Sequence, residues 1–190
     1  MNYSRVRVSS ESECGRAGCA PNGWKVRRAV ARNAVHVLLV STYELGHQPF
    51  GLAEPAAMLR ERGAVVRTVD LAVECLDEDL FRGASLIAFY VPMHTATRQV
   101  ARLIPKVRSW NLTAHIAAYG LYAPMNEIYL RLRHLGVQTV LGGEFEEGLA
   151  NLVQRLERGV KAAPGEQLEP RVSVARQDFV IPDREGLPPP

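Results

Sequence analysis

Five short apolar runs, each leading into a helix-length stretch, recur between residues 35 and 159, and no other feature restricts the fold so tightly. The runs are VHVLLVS (35–41), AVVRTVDL (64–71), SLIAFYV (85–91), AHIAAYG (114–120) and VQTVLGG (137–143). Nearly continuous apolar character, β-branched at several positions, marks strands buried on both faces, as in a parallel sheet. Helices are predicted at 49–63, 77–83, 94–110, 124–136 and 144–159. Leu52, Ala56 and Leu59 share one face of the first. Val100, Leu103, Ile104 and Val107 do so in the third, and Leu149, Leu152, Val153 and Leu156 in the last. Pro55 predicts a first helix that begins near Glu54, with the proline in its first turn, and Gly63 is its stop. Asp77 is the expected cap of the second helix, and Pro105 is expected to kink the third or shift its boundary.

Strands alternating with helices through short loops define an α/β fold, a doubly wound five-stranded parallel sheet of Rossmann or flavodoxin-like type. Right-handed crossovers put helices on both faces. The expected strand order is 2-1-3-4-5, with the switch point between strands 1 and 3. Residues 1–33 lack periodicity and read as a disordered basic extension, 34–160 as the α/β domain, and 161–190 as a linker. The last segment holds one strand-like run, RVSVARQDFVIPDREGLPPP, and a Pro-rich end that reads as cut rather than finished.

The formal net charge of +3 is concentrated before residue 35, where seven basic residues face two acidic ones, leaving the remainder at −2. A basic tail on a slightly acidic body gives no case for nucleic-acid binding. Three cysteines, Cys14, Cys19 and Cys75, make no disulfide framework and fit a reducing compartment. Cys14 and Cys19 lack the second ligand pair a metal site needs. With no apolar stretch near the ~20 residues of a membrane span, and no signal-like start, the expectation is a cytoplasmic chain without membrane contact.

Ligands of such sheets sit outside the carboxyl ends of the strands, near the switch point. Four loops meet there: TYELGHQPFG, PMHTATR, GLYAPMN and GGEFEEG. They supply the candidate binding residues Tyr43, Glu44, His47, Gly51, Met93, His94, Thr95, Gly120, Tyr122, Gly142, Gly143 and Glu144. Gly142 and Gly143 would let backbone approach a bulky ligand, or form a plain turn. Thr95 and Thr97 open a helix and read as its caps ahead of ligand contacts, with His94 a loop histidine beside them. The sequence has no G-x-G-x-x-G after strand 1, no G-x4-G-K-[ST] and no G-x-S-x-G. Ser41, Thr42 and Tyr43 stand where a phosphoacceptor site would need aspartates, and Asp70 and Glu144 read as isolated carboxylates. No catalytic set and no metal-ligand set emerges.

The stretches VLLVSTYELGHQPFGLAEPAAMLRERG, FYVPMHTATR, AYGLYAPMN, LGGEFEEGL and FVIPDREGLPP together resemble the amino-terminal, cobalamin-binding-type domain of radical S-adenosylmethionine proteins, in the subgroup with a CUAEP/CCAEP tail. The resemblance runs from about residue 35 to the end. It implies a cobalamin cofactor and a radical barrel as partner, in cis or in trans. The C-x3-C-x2-C that holds the family's four-iron cluster is absent, so the resemblance implies no iron–sulfur cluster on this chain and no catalysis by it alone. Domains that ligate cobalt through histidine carry D-x-H-x-x-G after strand 1; here Leu45 takes the Asp position and glycine comes one residue late, at Gly51. A ligating imidazole needs an acceptor to fix its tautomer, which Leu45 does not offer. His47 is therefore expected at the edge of the cofactor rather than on cobalt.

Three readings follow: a cobalamin-binding or cobalamin-binding-like module, a degenerate Rossmann-like docking domain without cofactor, and a flavodoxin-like nucleotide or flavin binder. Whether Tyr43, Phe50, Met93, Tyr122 and Phe145 line the crevice or fill it separates the first two.

Overall fold

The computed structural model describes residues 34–45, 47–127, 136–163, 165–176 and 180–188. The basic extension over 1–33, with Cys14 and Cys19, lies outside them, as do Gly46 and most of the predicted helix 124–136 with His134. In chain order the elements are β1 (His36–Ser41), α1 (Phe50–Glu61), β2 (Val65–Asp70), α2 (Glu78–Arg82), β3 (Leu86–Tyr90) and α3 (His94–Trp110). These are followed by β4 (His115–Tyr119), α4 (Tyr122–Met125), β5 (Thr139–Gly143), α5 (Glu146–Glu157) and β6 (Val172–Ser173). The strands form one parallel sheet in the order β2-β1-β3-β4-β5-β6. The expected order holds for five strands. The sixth is two residues long and pairs with the edge of β5 from within the stretch read as linker.

Alternation along the strands splits the core into two layers. Leu38, Val40, Ile87, Phe89, Ile116 and Ala118 face α2 and α3. Val37, Leu39, Leu86, Ala88, Ala117 and Tyr119 face α1 and α5. Helices thus cover both faces, and α1 and α3 leave β1 and β3 toward opposite sides. That divergence opens the crevice at the carboxyl ends of the two strands.

Pro55 departs from its expected effect, and Pro105 does not shift the boundaries of its helix. Helix α1 starts at Phe50, five residues before Pro55, and α3 runs unbroken from His94 to Trp110 through Pro105. Pro55 has no N–H for the carbonyl four residues back, that of Gly51. The Tyr119 hydroxyl donates to that carbonyl instead, at 2.8 Å. A partner on β4 therefore allows the helix to start early. Asp77 caps α2 by accepting from the Asp79 amide, and Gly63 follows α1 with φ +91, both as expected.

The carboxyl-terminal residues fold back on the domain. The Gln167 side chain bonds the Val140 amide and carbonyl, and Arg155 pairs with Glu169 at 2.6 Å, both nearly buried. Further on, Val180 and Leu187 pack against the α1 layer, and the Asp183 amide donates to the Ala53 carbonyl at 3.0 Å. Arg60 pairs with Asp183, and the Gln48 side chain donates to the Pro188 carbonyl. This cover explains why α1 is buried from Gly51 to Leu59, Glu54 included, rather than along one stripe.

Candidate functional site

The loop after β1 closes on itself. The His47 amide donates to the Glu44 carbonyl at 2.9 Å, and Leu45 holds φ +53, a left-handed conformation costly for a leucine. Leu45 is 64% exposed and Phe50 52%; Leu121, just before α4, and Met125, at its end, are exposed as well. His47 and His94 are exposed, and Tyr43, Met93, Thr95 and Tyr122 half-buried. Met93, not a threonine, occupies the N-cap of α3, and Thr97 bonds back to the Met93 carbonyl, so neither threonine caps the helix.

Tyr90, the last residue of β3, dominates the crevice. A Cβ on Gly51 would stand 2.2 Å from its ring, and one on Gly120 would stand 3.1 Å away. The ring packs on Tyr119 at 5.4 Å and Phe145 at 6.3 Å between centroids, and those two pack on each other at 5.0 Å. Gly142 meets the Pro124 ring 2.2 Å from where its Cβ would lie. At Gly143, with φ +66, the corresponding position is 2.0 Å from the Ser173 carbonyl oxygen. Each of the four candidate glycines thus admits atoms of this chain. The Glu144 amide donates to that same Ser173 carbonyl.

Polar groups around this filled centre form two acidic sets. Parallel pairing aligns Ser41 with Asp70, and the Asp70 amide donates to the Glu74 carboxylate at 2.7 Å. Burial pushes the carboxyl of Glu44 up, and the charge of Asp70 pushes it further, with His47 opposing. Asp70 and Glu74 are also raised, first by burial. Asp70 is therefore not the isolated carboxylate that the sequence implies. On the other side, burial raises Glu54, followed by the charges of Glu146 and Glu144. Tyr90, between the sets, is pushed up to about 12 by burial and by Glu44 and Glu146. Ser41 interacts with the Asp70 carboxyl and offsets part of its upward shift, and Thr42 Oγ1 and Glu44 Oε2 are buried without a hydrogen-bond partner.

Among the described residues no group of three or more His, Cys, Asp or Glu could hold a metal ion, and no helix is long and apolar enough to cross a membrane. A cavity of about 950 Å³ opens elsewhere, between the amino ends of β3 and β4 and residues 160–166. It contains none of the candidate residues. Sequence reasoning missed Tyr90, Tyr119, Ser41 and Thr42. All four end strands or follow them directly, and that position was the available signal.

The class these observations define is a doubly wound α/β domain with a switch-point crevice. No protein-family model matches the chain, and no curated protein does. Among solved structures it is similar to the radical S-adenosylmethionine methyltransferase TsrM from Kitasatospora setae, determined with a tryptophan substrate and an S-adenosylmethionine analogue. The identity is 18% and the TM-score 0.56, over 67% of this chain and 27% of that one. The chain thus spans about a quarter of that enzyme, and at this identity the likeness is one of fold. A putative pilus assembly-related protein from Burkholderia pseudomallei aligns at 14% identity and TM-score 0.47, over 70% of this chain and 98% of that one.

Proposed function

We propose that the chain is a cobalamin-binding-like module of a radical S-adenosylmethionine enzyme, which presents a corrinoid to a barrel active site supplied in cis or in trans. The observation that carries the reading is an exposed apolar rim, Leu45, Phe50 and Leu121, beside the half-buried Glu44, whose Oε2 has no hydrogen-bond partner. A corrin ring is a broad disc with an apolar face and a fringe of carboxamide donors, which suits such a surface. The loop resemblance and the shared fold support it. When bound, a corrinoid supplies a cobalt centre able to change oxidation state and carry an alkyl group. The protein's part would be to hold and orient: Glu44 would accept from the fringe, and Leu45, Phe50 and Leu121 would exclude water. His47, exposed at the rim, is an edge contact.

The test is to mix the purified chain with hydroxocobalamin, desalt it and record the visible spectrum. Retained corrin absorbance at micromolar protein is expected, unchanged in band position in His47→Ala; a colourless protein would sink the reading. The second reading, a docking domain without cofactor, is favoured by one observation, the Tyr90–Tyr119–Phe145 cluster that fills the middle of the crevice.

A further inference from the structure

Beyond the proposed function and independently of any ligand, we infer that residues 180–188 form a latch on the loop after β1, so that lifting them loosens Glu44, Leu45 and His47. The carboxyl-terminal return has a firm half and a soft half. In the firm half the side chains of the Arg155–Glu169 pair are 10% and 3% exposed, and Gln167 takes both polar backbone groups of Val140. In the soft half the apolar hold is Val180 and Leu187, both half-buried. The remaining ties are polar and reachable by water. The Arg60–Asp183 pair is 25% and 34% exposed, the Asp183 amide meets the Ala53 carbonyl at 3.0 Å, and Arg60 donates to the Glu185 carbonyl at 3.4 Å. A segment held in this way opens well before the core does.

The same segment grips the loop. Gln48 Nε2 donates to the Pro188 carbonyl at 2.7 Å, and Gln48 Oε1 accepts from the Arg184 guanidinium, so both polar ends of this side chain are engaged by residues 180–188. Gln48 follows His47, whose amide closes the turn on Glu44, and precedes Pro49, an N-cap that brings no side-chain bond to α1. Within that turn Leu45 is held in a left-handed conformation, which a leucine leaves once restraint is lifted. Arg60, in the last turn of α1, also donates to the Val66 carbonyl at 3.1 Å, so one guanidinium joins helix, β2 and latch. Coupling of this kind is reciprocal: whatever pulls residues 180–188 away loosens the loop, and whatever orders the loop holds them down.

Residue-resolved hydrogen exchange on the full chain tests the latch. Arg60→Ala should speed exchange of the Asp183 amide about tenfold and of the His47 amide about threefold or more, with the β3 amides unchanged. In a Gln48→Ala background the same substitution should still speed Asp183 but no longer move His47. Asp183→Ala, which spares the bond from Arg60 to Val66, should give the same split and serves if Arg60→Ala disturbs the fold. An Asp183 amide that speeds while His47 keeps its rate overturns the latch. So does a His47 response that persists without Gln48, or acceleration by both variants that extends equally to β3.

Discussion

Replacing Tyr119 with phenylalanine removes one oxygen and leaves the ring in place, so its cost isolates a single hydrogen bond. The Tyr119 hydroxyl lies 2.8 Å from the Gly51 carbonyl, and both residues are buried. Within α1 the natural donor to that carbonyl is the amide of residue 55, which is proline. Tyr119→Phe therefore leaves a buried carbonyl unpaired, at a cost of about 1–3 kcal/mol. A loss of about 2 kcal/mol in a chain of this size lowers Tm by roughly 4–8 °C. The decisive measurement is a double-mutant cycle with Pro55→Ala, which returns an N–H to the helix. In that background Tyr119→Phe should cost less, the difference being about 1 kcal/mol or more by urea unfolding. Equal cost in the two backgrounds would refute the idea that the tyrosine substitutes for the missing amide.

Three further outcomes are expected. Leu45→Asn, which tolerates the left-handed backbone, should raise stability by about 0.5–1 kcal/mol in urea; a loss would mean that the φ of +53 is not a source of strain. Gly143→Ala combines that backbone region with a Cβ driven at the Ser173 carbonyl, and should cost about 1–3 kcal/mol. Hydrogen exchange would show it as lost protection of the Gly142 and Glu144 amides, which donate to the β6 segment; intact protection would count against the contact. His115 is held down to about 4, first by burial and then by Arg155. Its unfolded form takes up a proton near pH 6.5, so the stability it contributes is complete above that value and falls as pH drops toward 4. His115→Gln should flatten that interval of the urea midpoint against pH, and an unchanged slope would contradict the assignment.

Strand number and order were legible because they depend on local pattern: apolar runs at regular spacing, short loops and one rule of handedness. The strand-like run after residue 170 was visible as well, but not that its two residues Val172 and Ser173 would join the sheet beside β5, since so short an edge strand carries no pairing pattern. The start of α1 escaped for a different reason, since the donor that compensates Pro55 lies 68 residues in sequence from the Gly51 carbonyl it satisfies. The candidate glycines were recognised as gaps, but a gap does not say what enters it. That Tyr90 and Pro124 do so depends on how β3 and α4 sit against α1 and β5, which periodicity does not record. Asp70 looked alone in the sequence because its neighbours arrive through strand register, opposite Ser41, and through the return of Glu74.

The interlock of Tyr90 with Gly51 also gives substitution an order. Gly51 sits in ordinary helical backbone, and the nearest atoms a side chain there would meet are those of the Tyr90 ring. While Tyr90 stays large, position 51 is closed to drift; once it shrinks, position 51 is released and a ring-sized recess appears at the switch point. Descent along this path has a direction, tyrosine first and glycine second. In a set of related chains the two positions should vary as a pair, with a larger residue at 51 found where position 90 is small.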